Sequence, residues 1–119
     1  MAIVVKSFDT YTLRYLAAGA QWQNARAVVD CYRGDTWVAQ LQFLAAEPAV
    51  GGGLGSPEEF VVLYYALARF HDVVDILRNE GPLAVLFDTG TTTGEITTLA
   101  NEKVGEAEIV QPDRGSYSP

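Results

Sequence analysis

Between Glu58 and Glu80 the chain reads EEFVVLYYALARFHDVVDILRNE, its most apolar and most periodic stretch, and the rest of the sequence has to supply a cover for it. Phe60 to Ala68 contains no charged residue and is dominated by β-branched and aromatic types, which lose rotamer freedom in a helix and pack well on a pleated sheet. From Phe70 the pattern changes. Phe70, Val73, Val74 and Leu77 recur at i, i+3, i+4 and i+7, the apolar stripe of an amphipathic helix, while His71, Asp72, Asp75 and Arg78 lie mostly on other faces. The spacing predicts a strand over about 59–66 and a helix over about 67–79, stopped by Gly81-Pro82. One longer helix starting at residue 57 is the alternative, because Ser56-Pro57-Glu58-Glu59 has the form of a capping box with proline at the first helical position.

A helix of this length does not hold by itself in water, so its stripe must lie on a sheet or on a second subunit. The chain has 119 residues, enough for one core, and we expect a single domain over 1–110 with a flexible tail over 111–119, where the sequence turns acidic and then polar with prolines. A formal charge of −7 disfavours general affinity for nucleic acid or anionic membrane, both of which reward a basic surface. Cys31 is the only cysteine, which excludes an internal disulfide and a cysteine-rich metal site and suggests a reducing, cytoplasmic setting. No stretch reads as a membrane span, and no cofactor is expected.

Residues 3–16 read as a strand or a bent pair, with Tyr11, Leu13 and Tyr15 alternating against Thr10, Thr12 and Arg14. Residues 17–24 form a connection in which Trp22 could plug the end of the sheet. Residues 25–44 make a hairpin whose register follows from keeping charge off the apolar face. A two-residue turn at Gly34-Asp35 would set Asp30 opposite Ala39. A three-residue loop, Arg33-Gly34-Asp35, instead sets Cys31 opposite Trp37, Val29 opposite Ala39 and Ala27 opposite Leu41, and is the expected register. The other face would then carry Arg26, Val28, Asp30, Tyr32, Thr36, Val38, Gln40 and Gln42. Glu47 to Ser56 reads as a flexible connector, Leu83 to Phe87 as a buried strand, Asp88 to Gly94 as a turn and Glu95 to Ala100 as a returning strand. The fold class expected is α+β, an antiparallel sheet in the order β-β-β-β-α-β-β with one main helix, about 67–79, packed on it.

Several residue groups invite a chemical reading, each beside a plainer one. Asp88-Thr89-Gly90 after Val85-Leu86-Phe87 resembles the active-site motif of retropepsin-like aspartic proteases, which pair two such aspartates across a dimer. Gly94 departs from that pattern, no later apolar-apolar-Gly motif has room to follow, and Asp-Thr-Gly is an ordinary turn. His71 and Asp75 at i, i+4 could orient an imidazole or offer half a metal site, or simply form a solvated helix face. Gly51-Gly52-Gly53-Leu54-Gly55 lacks the lysine and hydroxyl ending of a phosphate loop and reads as a linker. Cys31 on the apolar face reads as a small core residue. Catalytic residues are therefore not expected, an enzyme built on His71, Asp75 or Asp88 being the third reading.

Phe70 to Phe87, FHDVVDILRNEGPLAVLF, with the later Val104-Gly105-Glu106, resembles a group of small bacterial proteins of uncharacterised role. The expected order of four strands followed by a helix is similar to the Whirly and transcriptional-coactivator class of single-stranded DNA binders, in which a strand-helix unit makes a dimer. That resemblance implies nucleic-acid contact through a sheet face, where Arg14, Arg26 and Tyr32 would combine charge with a stacking platform. The apolar strand beside an amphipathic helix independently suggests a homodimer with Phe60, Val62, Tyr64, Phe70, Val73 and Leu77 at the interface. The first functional expectation is a non-catalytic, dimeric interaction or regulatory domain with an unidentified protein partner. The second is a single-stranded nucleic-acid binder, which clustering of Arg14, Arg26 and Arg33 on one exposed face would favour.

Overall fold

The computed structural model describes residues 2–17, 25–55 and 60–99. In chain order the strands are β1 (Ile3–Phe8), β2 (Thr10–Tyr15), β3 (Ala25–Arg33), β4 (Thr36–Leu44), β5 (Gly52–Gly55), β6 (Phe60–Ala66), β7 (Leu83–Asp88) and β8 (Thr93–Thr98). A 3₁₀ turn at Leu67–Arg69 leads from β6 into the single helix, α1 (Phe70–Asn79). The fold is α+β, as expected, but the sheet is not one antiparallel layer in the expected order. Six strands precede the helix, and they divide between a three-stranded sheet, β1-β7-β8, and a five-stranded sheet, β2-β3-β4-β6-β5. All neighbours are antiparallel except β4 and β6, which run parallel.

Two features produce this difference. The bent pair over residues 3–16 breaks at Asp9, so that β1 pairs with β7 while β2 pairs with β3. Within the expected connector, Gly52–Gly55 forms the edge strand β5 on β6, and β6 inserts itself between β5 and β4. The order of elements that suggested the Whirly class is therefore not the order of this chain.

Strand followed by helix is the correct reading of the central stretch. Phe60–Ala66 is extended, which removes the single helix from 57; the capping-box residues 56–59 lie outside the described residues. Residues 18–24, with Trp22, and the expected tail at 111–119 lie outside them as well. The helix carries Asp72 in its first turn and Arg78 in its last, each opposite in sign to the nearby end of the helix dipole.

The β3–β4 hairpin corrects the expected register. Gly34 and Asp35 do form a two-residue turn, with Arg33 opposite Thr36 and Gly34 at positive φ, as the first central position of a type II′ turn requires. Cys31 then faces Ala39, not Trp37, because the ladder slips between Cys31 and Tyr32. The slip is a β-bulge in which Val38 is the extra residue. It sets Asp30 opposite Gln40, Val29 opposite Leu41 and Ala27 opposite Phe43, so charge stays off the apolar face by a route that a regular ladder does not offer. Trp37 and Val38 thereby exchange places: Val38 joins the core, and Trp37 goes to the other face opposite Tyr32.

The core lies between the apolar face of the five-stranded sheet on one side and the three-stranded sheet with α1 on the other. Ala27, Val29, Cys31, Leu41, Phe43, Val61 and Leu63 meet Phe8, Leu83, Val85 and Phe87 and the helix residues Phe70, Val73 and Leu77. Phe43 is its aromatic centre, stacked on Tyr65 at 5.6 Å between ring centroids and edge-on to Phe70 at 5.2 Å. The sheets are stitched at opposite corners. At one, Asp9 N–H donates to the Tyr32 carbonyl at 2.9 Å. At the other, Gly51 N–H donates to the Thr92 carbonyl at 2.8 Å while the Gly51 carbonyl accepts from Tyr64 N–H at 2.9 Å.

Candidate functional site

Alternation along the strands gives the five-stranded sheet a second face, turned away from the three-stranded sheet and α1. Partnered positions place Thr12, Asp30, Gln40 and Val62 in one row across it and Arg14, Val28, Gln42 and Tyr64 in the next, with Tyr32, Trp37 and Phe60 toward the hairpin end. In the middle is a row of buried polar side chains. The Asp30 carboxylate, on a residue 8% exposed, accepts from Trp37 Nε1–H at 3.1 Å and from Gln40 Nε2 at 2.9 Å, both on Oδ1. Gln42 Nε2 in turn donates to Gln40 Oε1 at 2.8 Å. Arg14 reaches Asp30 Oδ2 at 3.5 Å from a half-exposed position, where such a pair contributes little by itself. The buried polar groups are thus joined in one chain, which is the condition for keeping them in a sheet centre at all.

Beside this row is an aromatic edge. Trp37 is 42% exposed and leans on Phe60 with ring centroids 4.3 Å apart, so a large ring fixed by its own hydrogen bond to Asp30 remains open to solvent. Replacing Asp30 by alanine leaves the Trp37 and Gln40 donors without their acceptor, and we expect a loss of about 2–3 kcal/mol in urea denaturation. Asp30→Asn keeps one acceptor oxygen and is expected to cost less. Equal losses for the two variants would argue that the hydrogen bonds do not carry the effect.

The residues singled out by sequence fall into separate places. Arg14 and Tyr32 share this face. Arg26 is the extra residue of a second ladder irregularity, between Ala25 and Ala27, and Arg33 lies at the opposite end of β3 with Nη1 bonded to Ser7 Oγ at 3.2 Å. The three arginines Arg14, Arg26 and Arg33 therefore do not form one cluster. Phe60, Val62 and Tyr64 lie on the second face, whereas Phe70, Val73 and Leu77 are buried in the chain's own core at 8%, 3% and 7% exposure. The sequence missed Trp37 as a surface residue, because only the bulge puts it there.

Asp88-Thr89-Gly90 opens the β7–β8 turn, where Asp88 Oδ1 accepts from Gly90 N–H at 2.8 Å. His71 is exposed and touches the Phe70 ring edge-on, and its partner at i+4, Asp75, is exposed as well. Gly51 to Gly55 is the corner stitch and β5. Among the described residues no group of three or more His, Cys, Asp or Glu side chains is arranged to hold a metal ion, and no helix is long and apolar enough to cross a membrane. Comparisons with protein families, with curated proteins and with solved structures find no match.

Burial, with the nearby Asp30 charge adding to it, pushes the Cys31 thiol up from 9.0 to about 12. Burial and then the Glu95 carboxylate, partly offset by Arg69, push Tyr65 up from 10.0 to about 12. A raised folded-state value means that the folded form prefers the neutral group, so the stabilising contribution is full below the unfolded values and is lost as pH climbs through the folded ones. Stability is expected to fall between pH 9 and about 12, and Cys31→Ala to flatten that fall. Denaturation midpoints measured across this range check it, and a wild-type curve no steeper than that of the variant would contradict it. The native thiol should also resist alkylating reagents at neutral pH and react once urea unfolds the chain.

Proposed function

We propose that the chain is a non-catalytic interaction module that pairs with a second copy of itself through the exposed Trp37 edge of the second face of the five-stranded sheet, the centre of that face, at Val28, Gln40 and Gln42, being already buried. The observation that carries this reading is the Trp37–Phe60 edge beside the hydrogen-bonded Asp30–Gln40–Gln42 row. Interfaces draw most of their energy from a few rigid aromatic and arginine anchors set among polar groups already satisfied. Trp37, Tyr64 and Arg14 are residues of that kind on a single face, with Val62 between the first two. Of the groups a catalytic reading would use, Asp88 caps its own turn, and His71 and Asp75 lie exposed on the helix, away from it in sequence.

Light scattering on the purified chain at micromolar concentration is expected to give twice the chain mass of 12.9 kDa. Trp37→Ala should weaken the association by about tenfold or more with the fold retained. A monomer at every concentration reached would overturn the proposal.

A second reading rests on a different feature of the same face. Arg14, Tyr32 and Trp37 share that face, Arg14 and Trp37 both reaching the Asp30 carboxylate and Tyr32 standing opposite Trp37, a cation and two rings on which bases could stack. The net charge of −7 and the Asp30 partner of Arg14 weigh against it. Anisotropy of a labelled single strand titrated at low and physiological salt decides: saturable, salt-sensitive binding supports nucleic acid, and no binding at low salt removes it.

A further inference from the structure

At the carbonyl end of α1, away from the face just described, the chain leaves a cleft of about 200 Å³ between the helix, the β1–β2 corner and the start of β7. Its apolar part is formed by Phe8, Leu77 and Leu83, all buried, and Tyr11 offers a ring at the side. Two carboxylates stand at this cleft, Asp9 from the corner and Glu80 from the residue that ends the helix. Neither has an ion-pair partner among the described residues. Asp9 Oδ1 accepts only a backbone bond, from Gly34 N–H at 3.2 Å, and the Glu80 backbone closes the helix on the Ile76 carbonyl while its side chain has no partner among the described residues. No lysine or arginine lines the cleft, and Arg33, beside Gly34, turns its guanidinium to Ser7. The helix dipole adds partial negative charge at this end.

These observations specify a ligand by its chemistry. The apolar floor asks for a short alkyl chain, and the two carboxylates, which have no ion-pair partner among the described residues, together with the helix end ask for a cation at one terminus. The volume accommodates a group the size of one side chain. We propose that this cleft binds a cationic group carried on an aliphatic stem, an alkylammonium ion or the side chain of a lysine. It is a site separate from the proposed dimer face and does not depend on it.

The test is a titration of the ¹⁵N-labelled full chain with n-butylammonium chloride, with n-butanol and butyrate as shape controls, and with a short acetylated and amidated glycine-lysine-glycine peptide. Saturable shifts at Asp9, Leu77, Glu80 and Gly81 are expected with butylammonium or with the lysine peptide. n-Butanol should bind about fivefold more weakly or worse, and butyrate should not bind. Tighter binding of the peptide identifies a lysine of a partner protein as the source, and tighter binding of the free ion identifies a small amine. Glu80→Gln, at a partly exposed position and checked for an unchanged spectrum elsewhere, should weaken the cation about fivefold and leave n-butanol unaffected. Absence of saturable shifts with both cations, equal binding of n-butanol, or an unaltered affinity in Glu80→Gln would overturn the proposal.

Discussion

Gly52→Ala is expected to destabilise the chain by about 3 kcal/mol or more, lowering Tm by about 10 °C. A Cβ at this position would run into the carbonyl oxygen of Val62, and close behind it lie the Leu63 side chain at 3.1 Å and Leu63 Cα at 3.2 Å. Two of these three neighbours are backbone atoms of β6, a strand held on both sides, so no rotamer change relieves the contact. Relief requires β5 to part from β6, and the next residue back, Gly51, carries the stitch to Thr92 and Tyr64. Gly53→Ala is the control, since a Cβ there meets nothing within 4 Å. Thermal and urea denaturation of the two variants should therefore differ sharply, and equal stability would mean that β5 is not tightly seated on β6.

Phe43→Ala is expected to cost about 3–5 kcal/mol, a large share of the roughly 5–15 kcal/mol available to a domain of this kind. Phe43 has no exposed surface and is the ring on which three elements meet: Tyr65 of β6 stacks on it, Phe70 of α1 meets it edge-on, and Tyr15 of β2 packs edge-on to Phe70 at 5.0 Å. Truncation removes the apolar area of one ring and leaves a cavity that a strand in the middle of the sheet is poorly placed to fill. Phe43→Leu, which refills part of that space, should cost about 1.5 kcal/mol or less. A loss for Phe43→Ala no larger than for Phe43→Leu would show that the site collapses freely.

The strand-to-helix transition at residue 67 was legible because it changes the local period, from an uncharged β-branched run to the i, i+3, i+4, i+7 stripe of Phe70, Val73, Val74 and Leu77. The extent of the β3–β4 hairpin was legible for the same reason. Its register was not, because a bulge at Val38 changes the parity of a strand without altering its composition, and one residue is enough to exchange Trp37 for Val38 on the surface. That is also why the candidate face was only half visible: Val28, Asp30, Tyr32, Gln40 and Gln42 could be grouped by alternation, but the exposed ring beside them could not. The division of β1 from β2 and the parallel pairing of β4 with β6 are long-range choices. Nothing near Asp9 or Gly52 in sequence announces them. Counting one thin layer also underestimated the cover for α1, whose apolar face is taken up by the chain itself.

The pairing of β1 with β7 sets an order of events for folding. Ala2 and Thr89 are bonded to each other across 87 positions, and the β1–β7 ladder needs both the beginning of the chain and β7, whereas β7 and β8 pair as a local hairpin. The five-stranded sheet is complete by Ala66 and α1 by Asn79, so during synthesis both can be made while Val29, Leu41 and Val61 still lack the cover that Leu83, Val85 and Phe87 later provide. Closure over so long a loop is slow relative to hairpin formation. Until Leu83 to Thr98 has been synthesised, the apolar face carrying Val29, Leu41 and Val61 has no cover from β7, and that stretch is the clasp that completes the core.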